Sequence, residues 1–237
     1  MRILITGATS GIGYQLTREY AKQGDTVIAC GRNPQKLEQL TALSSNINTL
    51  CFNLTDYQDY PQLDAPIDLL IFNAGNCEYI DDCIDFDAQK FERIIHINLI
   101  AIAYGLQNWL KHIKKGGRVV FISSSAALLP LPRAEAYGAS KAALSYLSQT
   151  LSISLHQHQI NTTLIHPGFV DTPLTKRNQF AMPMLMDSQQ AAIKIIRGIA
   201  KGKSIINFPI VFVCVMKLLR YLPLSIWQKI ATRMIKE

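Results

Sequence analysis

The sequence predicts an α/β fold, a doubly wound parallel sheet of seven strands with a helical appendage at its C-terminal end. Three observations carry this prediction. Short apolar runs alternate with amphipathic stretches of helical length along residues 1–208, the pattern of β-α-β units. The strand runs are nearly continuous hydrophobics, as expected where helices cover a parallel sheet on both faces. A glycine cluster follows the first run immediately, where such folds turn from strand into helix.

Taken in order, strands are expected over residues 2–6, 25–30, 48–52, 69–72, 118–123 and 161–166, with 204–208 the seventh. Helices are expected over residues 11–23, 34–43, 87–113 and 135–156, and another begins near Asp187-Ser188-Gln189-Gln190. Asp85 or Asp87 is placed to cap the third of them. No repeat or low-complexity linker interrupts the chain. Residues 1–208 therefore read as one domain, and 209–237 as an extension of it.

The 237 residues are 49% hydrophobic and 17% charged, which excludes disorder and leaves ample material for a core. The net charge of +7 resembles a nucleic-acid signal until it is located. Residues 1–196 hold equal numbers of basic and acidic side chains. Arg197, Lys201, Lys203, Lys217, Arg220, Lys229, Arg233 and Lys236 then stand against Glu237 alone. Those cations are interspersed with aliphatics and lack an aromatic stacking platform, so nucleic acid is not an expected partner. The five cysteines, Cys30, Cys51, Cys77, Cys83 and Cys214, form no C-x-x-C pair and read as reduced, buried or half-buried thiols of a cytoplasmic protein. The chain runs at once into a strand without a secretory leader, in keeping with that location. His156-Gln157-His158 lacks a third ligand, and no metal is expected.

The first strand ends in Thr6-Gly7-Ala8-Thr9-Ser10-Gly11-Ile12-Gly13. Glycines at a strand-to-helix turn let the backbone approach a pyrophosphate, whose charge the free N–H groups of the helix start then bind. Nineteen residues after Gly13 comes Arg32, at the end of the second strand, where dinucleotide folds read the adenosine ribose. No acid stands there to repel a 2′-phosphate, and a guanidinium suits one, so NADP(H) is favoured over NAD(H). The fold is thus Rossmann-like.

The fifth strand delivers Ser123-Ser124-Ser125, and the helix starting near Glu135 carries Tyr137 and Lys141 four residues apart on one face. A phenol of ordinary pKa about 10 is a poor acid–base near neutrality. An ammonium about 5 Å away would favour the phenolate by roughly 3 kcal/mol at an effective dielectric of about 20. Tyr137 can then act as general acid, with a serine hydroxyl stabilising the developing alkoxide.

Together with Asn73-Ala74-Gly75 closing the fourth strand, Asn98 in the following helix, and Pro167-Gly168 with Thr172 after the sixth strand, this pattern resembles the short-chain dehydrogenases/reductases in their compact single-domain form. The resemblance spans about residues 1–200. It implies that Ser124, thirteen residues before Tyr137, polarises a carbonyl and that Tyr137 transfers the proton. Lys141 would hold the nicotinamide ribose and lower the Tyr137 pKa, and Asn98 would hold a relay water. Cofactor contacts are expected from Gly7, Thr9, Ser10, Gly11, Ile12, Gly13, Arg32, Asn53, Leu54, Asn73, Ala74, Gly75, Tyr137, Lys141, Pro167, Gly168, Val170 and Thr172. Two positions depart from the family pattern. Phe72 stands where many members have a second Asn, and Asn53-Leu54 where an acid commonly meets adenine.

Residues 169–188, with Leu174, Phe180, Met182, Met184, Leu185 and Met186, read as a methionine-rich lid over a lipophilic pocket, or as core. Residues 210–222 would span about 20 Å as a helix, too short for a bilayer core of about 30 Å. After Pro223, Ser225 and Gln228 could form a capping box, with Trp227, Ile230, Ala231, Met234 and Ile235 on one face. Such a basic amphipathic tail suits peripheral membrane association, or packing over the pocket or against a second subunit. The expected function is an NADP(H)-dependent oxidoreductase acting on a lipophilic carbonyl or secondary alcohol, assembled as a homo-oligomer. The second reading is a nucleotide-binding regulatory or scaffold protein without turnover.

Overall fold

The computed structural model describes residues 1–58, 60–178 and 180–233. Its elements, in chain order, begin β1 (Arg2–Thr6), α1 (Gly11–Lys22), β2 (Thr26–Gly31), α2 (Pro34–Thr41), β3 (Ile47–Cys51) and β4 (Ile67–Phe72). There follow α3 (Ala88–Ile95), α4 (Ala101–Trp109), β5 (Ile113–Ile122), α5 (Glu135–His156) and β6 (Asn161–Pro167). A short pair, β7 (Val170–Asp171) and β8 (Met186–Asp187), flanks the lid, and α6 (Ser188–Ala200), β9 (Ile205–Phe208), α7 (Ile210–Leu219) and α8 (Leu224–Ala231) complete the chain.

Seven strands pair in the order β3-β2-β1-β4-β5-β6-β9, all parallel. The direction of winding reverses between β1 and β4, which opens a crevice at their C-terminal ends. Alternation along each strand divides the core. Ile3 and Ile5 of β1 join Leu16, Tyr20, Ile71, Val120 and Ile195 on the face covered by α1 and α6. Leu4, between them, joins Phe72, Trp109, Phe121 and Leu144 on the face covered by α4 and α5. Phe72 stacks on Trp109 and Phe121, and a β-carbon on Gly105 would come within 2.6 Å of its ring. The departure at Phe72 is therefore core packing.

Side-chain caps mark the starts of three helices. Asn33 accepts a hydrogen bond from the Lys36 N–H ahead of Pro34, and Asp87 accepts one from the Lys90 N–H, so Asp87 is the cap. Asp187 caps α6 with two such bonds. The helix expected over 87–113 is broken: a π turn at His96–Ile100 separates α3 from α4, and β5 already begins at Ile113. The capping box at Ser225 does not form, because α8 starts at Leu224 behind Pro223 and places Ser225 inside its first turn. Met234, Ile235 and Lys236 lie outside the described residues. All five thiols are free, but only Cys30 is buried and Cys77 half-buried; Cys51, Cys83 and Cys214 are exposed, against expectation.

The tail packs on the body through a third, smaller cluster. Val213, Met216, Trp227 and Ala231 bury themselves against Leu128 and Leu129 in the loop between β5 and α5. The Trp227 indole donates to the Pro130 carbonyl at 2.8 Å. Trp227→Ala should cost about 3–5 kcal/mol of this docking, read as native-state trypsin cleavage at Lys217 or Arg220. Trp227→Phe should stay largely protected.

Candidate active site

At the crevice, β1 passes into α1 through glycines that the geometry requires. Gly7 and Gly11 hold left-handed φ values of +66° and +53°. A β-carbon on Gly13 would sit 2.3 Å from the Gly7 carbonyl and 2.4 Å from Asn73 Nδ2. Asn73 ties the crevice together: its amide donates to the carbonyls of Thr6 and Gly7, while the backbone N–H groups of Asn73 and Ala74 donate to the Thr6 hydroxyl. Ser10, unlike the caps of α2, α3 and α6, spends no side-chain bond on its helix, and no acid lies in the first turn of α1. The N–H groups of this helix start thus face the crevice as an anion cradle.

The other expected cofactor contacts surround that cradle. Arg32 is exposed just past β2, beside Gly31, where a β-carbon would come within 2.6 Å of Thr9. Asn53 accepts from the Thr55 N–H and hydroxyl, leaving its NH2 free, whereas Leu54 and Ile12 pack partly into the cores. Val170 is 3% exposed, so only its backbone can face a ligand; Pro167 is buried and Gly168 half-buried beside it. Thr172 reaches back over the glycine turn, 3.0 Å from where a Gly11 β-carbon would be, and its hydroxyl is engaged with Thr175.

Across the crevice, β5 and α5 bring Ser124, Tyr137 and Lys141 together. Ser124 caps a short 3-10 turn: its oxygen accepts from the Ala126 N–H, which leaves its own proton free to donate. Ser123 points the other way, donating to the Lys141 carbonyl and bonding Ser145 at 2.8 Å. Ser145 continues to His166, and His166 to Asn207, so a buried chain of polar groups fastens α5 to β6 and β9. The Lys141 side chain is 4% exposed; its Nζ donates to the Ile122 carbonyl at 2.9 Å and lies 5.9 Å from the Tyr137 ring centre.

Asn98 sits in the π turn, fully buried. Its Oδ1 accepts from the Asn76 N–H at 2.8 Å, and its Nδ2 donates to the Asn76 carbonyl and the Ser140 hydroxyl. Ser140 in turn donates to the Tyr137 carbonyl. The Asn98 side chain is thereby committed to holding the loop after β4, and only its backbone is left to hold a relay water. Gly75 lies between these groups, where a β-carbon would meet Asn98 Oδ1 at 3.0 Å and Lys141 Nζ at 3.3 Å.

Burial governs the titration of the site. It holds the Lys141 amine down at about 8 and pushes the Tyr137 phenol above its ordinary value, with a Ser124 hydrogen bond opposing the second shift. The expected lowering of Tyr137 by Lys141 does not appear: burial and the Cys77 thiol raise the phenol, and Ser124 opposes them. Two side chains with no sequence periodicity to mark them also line the site. Burial raises the Cys77 thiol to about 11, while its Tyr79 hydrogen bond and Lys141 lower it. The Tyr79 hydroxyl donates to Asn178, and its ring meets Phe180 of the lid edge-on at 5.6 Å. Phe180 continues to Phe169, and Phe169 to Phe212 of α7. The lid residues Met184 and Leu185 are about half exposed and are not core.

Because Lys141 is protonated up to about 10.5 when unfolded but only to about 8 when folded, folding releases its proton between those values. Its burial penalty is complete below pH 8 and fades as pH rises towards 10.5. Lys141→Met should therefore exceed the parent in unfolding free energy at pH 7, on the order of 3 kcal/mol, with the gap narrowed to roughly a quarter of that at pH 10. A gap independent of pH in urea titrations would show that the amine is not the titrating group.

Comparison with known proteins agrees with this architecture. The family model described as short chain dehydrogenase matches residues 1–182. An uncharacterized oxidoreductase of Myxococcus xanthus is 30% identical over 250 residues, covering 98% of this chain and 96% of that one. The 3-ketodihydrosphingosine reductase of Bos taurus is 30% identical over 196 residues, 75% of this chain and 59% of its own. A short-chain dehydrogenase from Sphingobium yanoikuyae, solved in complex with NADPH, superposes with a TM-score of 0.79 at 25% identity over 88% of each chain. With most of the chain matched by one kind of protein, in sequence and in superposed fold alike, it is an oxidoreductase belonging to the short-chain dehydrogenase/reductase family.

Proposed function

We propose that the protein is an NADP(H)-dependent reductase of lipophilic carbonyl compounds, with the reverse alcohol oxidation open to it. The observation that carries this reading is the convergence of Ser124, Tyr137 and Lys141 across the crevice from the α1 cradle. The cradle suits a dinucleotide because a β-carbon at Gly13 or Gly11 would crowd the turn that a pyrophosphate must approach. Gly7, Thr9, Ser10 and Ile12 would hold the phosphates, Arg32 the 2′-phosphate, and Asn53 and Leu54 the adenine. Asn73, Ala74, Gly75, Pro167, Gly168, Val170 and Thr172 would border the nicotinamide half. When bound, that cofactor supplies or accepts a hydride at the substrate carbon.

The chain's own residues manage the oxygen. Ser124, with its oxygen already engaged by Ala126, donates to the substrate carbonyl and stabilises the charge that develops there. Tyr137 gives that oxygen its proton. A phenol pushed up by burial is protonated at neutral pH, the form that reduction requires. Lys141, near 8, is matched to passing protons towards Tyr137 around neutrality, with the π-turn backbone at Asn98 positioned to hold a relaying water. Two features support a lipophilic substrate: the aromatic run Tyr79–Phe180–Phe169–Phe212, and a bovine relative that is by name a ketone reductase of a sphingoid compound. The exposed Tyr146 and Ile153 on α5 support assembly with a second copy, and free thiols accord with a cytoplasmic location.

NADPH binding followed by its oxidation with a panel of keto-acyl, steroid-like and retinoid-like ketones tests this reading. Tyr137→Phe should keep NADPH binding and lose about 10²–10⁴-fold in kcat. Binding without turnover, indifferent to that substitution, would instead support the nucleotide-binding module. Arg32→Asp should weaken NADPH by tenfold or more, roughly one charge-assisted contact, and improve NADH. Equal use of both cofactors by the parent would remove Arg32 from its role.

A further inference from the structure

The tail has two apolar faces and only one of them is covered. Val213, Met216, Trp227 and Ala231 are 7% exposed or less, packed on the β5–α5 loop. On the other side Ile210, Val211, Val215, Leu218, Tyr221, Leu224, Ile226 and Ile230 are 38–87% exposed. These eight are nearly half of the large hydrophobic side chains exposed among the described residues, gathered into one short segment. Along α7, Ile210, Cys214 and Leu218, with Val211 and Val215, form a continuous stripe at i, i+4 spacing, and Lys217 is the helix's one charge. Of the apolar face expected for the last helix, Trp227 and Ala231 turn inward against the body, while Ile230, with Ile226, remains exposed beside them.

The charge around this patch selects its occupant. Lys217, Arg220, Lys229 and Arg233 are all exposed, no carboxylate occurs between Asp187 and Glu237, and against these four cations the adjoining groove sets the single carboxylate of Glu135. A second copy seated on the same patch by two-fold symmetry would set cations against cations. An anionic lipid surface meets both the aliphatics and the cations, and Tyr221, 87% exposed, is a side-chain type favoured at its interface. No helix among the described residues is long and apolar enough to cross a membrane. We propose that α7 and α8 form a foot that rests on an anionic bilayer, with the substrate mouth turned towards the lipid.

The mouth adjoins the foot. Phe212 of α7 leads through Phe169 to Phe180 on the lid, where the exposed Met184 and Leu185 extend the apolar surface. The loop that carries the foot starts at Ser123 and holds Ser124. Between that loop and α8 opens a groove of about 690 Å³, lined by Ala127, Leu129, Leu131, Leu224 and Trp227, with room for an acyl chain. A lipophilic ketone, the substrate class argued above and on which this orientation rests, can then leave the bilayer and reach the site without crossing water.

The full chain should co-sediment with vesicles of phosphatidylcholine mixed with phosphatidylglycerol, less with phosphatidylcholine alone, and less again as salt rises. Lys217→Gln with Arg220→Gln should weaken binding about fivefold per cation removed, and Val211→Asp with Leu218→Asp should abolish it. Both double variants should turn over a short water-soluble ketone like the parent, yet lose rate on a vesicle-dissolved one. Turnover in solution without vesicle binding, or binding unchanged by the variants, would overturn the foot and leave the reductase. So would a dimer in sedimentation velocity that Leu218→Asp dissociates. Vesicle binding with no turnover of any carbonyl would keep the foot on anionic lipid, while sinking the reductase and with it the orientation of the mouth.

Discussion

A buried amine sets the terms for the rest of this structure. Lys141 is taken out of water beside a phenol and a thiol, and the Ile122 carbonyl at the end of β5 accepts a hydrogen bond from its Nζ. An ammonium so placed is tolerated only if its helix cannot shift, since losing its carbonyl would leave a charge uncompensated. The polar chain beneath α5 meets that requirement. Ser123 and Ser145 hold the Lys141 backbone, while Ser140 holds the Tyr137 backbone and is itself held by Asn98. A fully satisfied polar network is rigid because each member's loss exposes another's unmet bond. Tyr137 and Ser124 inherit their geometry from it.

The sheet decides where that rigidity can be used. Winding outward from β1 and β4 leaves their carboxyl ends flanking an open crevice, and only there can the α1 start face the α5 start. The Thr6 hydroxyl and the Asn73 side-chain amide brace the gap, tying the glycine turn to the loop after β4. Beyond β4 the same loop is gripped by Asn98. The π turn follows from this: one additional residue in the helix lets Asn98 point inward at Asn76 and Ser140.

What could be read from the sequence follows the reach of each signal. β1 and α5 match the expected bounds because a continuous apolar run and a long amphipathic stretch are local patterns. The spacing of Ser124, Tyr137 and Lys141 is likewise local once strand and helix are placed. The break at His96–Ile100 was not legible, since it answers to partners 22 and 42 positions away. The start of β5 at Ile113 escaped for a similar reason. Lys114, Lys115, Gly116 and Gly117 carry no strand pattern, and pairing of Ile113 with Ile67 draws them in. Cys77 and Tyr79 are single side chains in a loop, without a period to announce them. The titration of Tyr137 needed burial, which spacing does not report.

The tail marks the limit of pattern reading most clearly. Residues 210–219 are apolar nearly all round, so no moment in the sequence says which side meets the protein. That choice is made elsewhere, by Leu128 and Leu129 offering a surface and by a Pro130 carbonyl that needs the Trp227 donor. Docking buries one half of the helix pair and in doing so orients the other half outward. The same loop holds Ser124, the serine that faces the substrate carbonyl in the proposed reaction. Tail and proposed catalytic centre therefore share one loop, with Leu128, which the tail covers, four positions from Ser124.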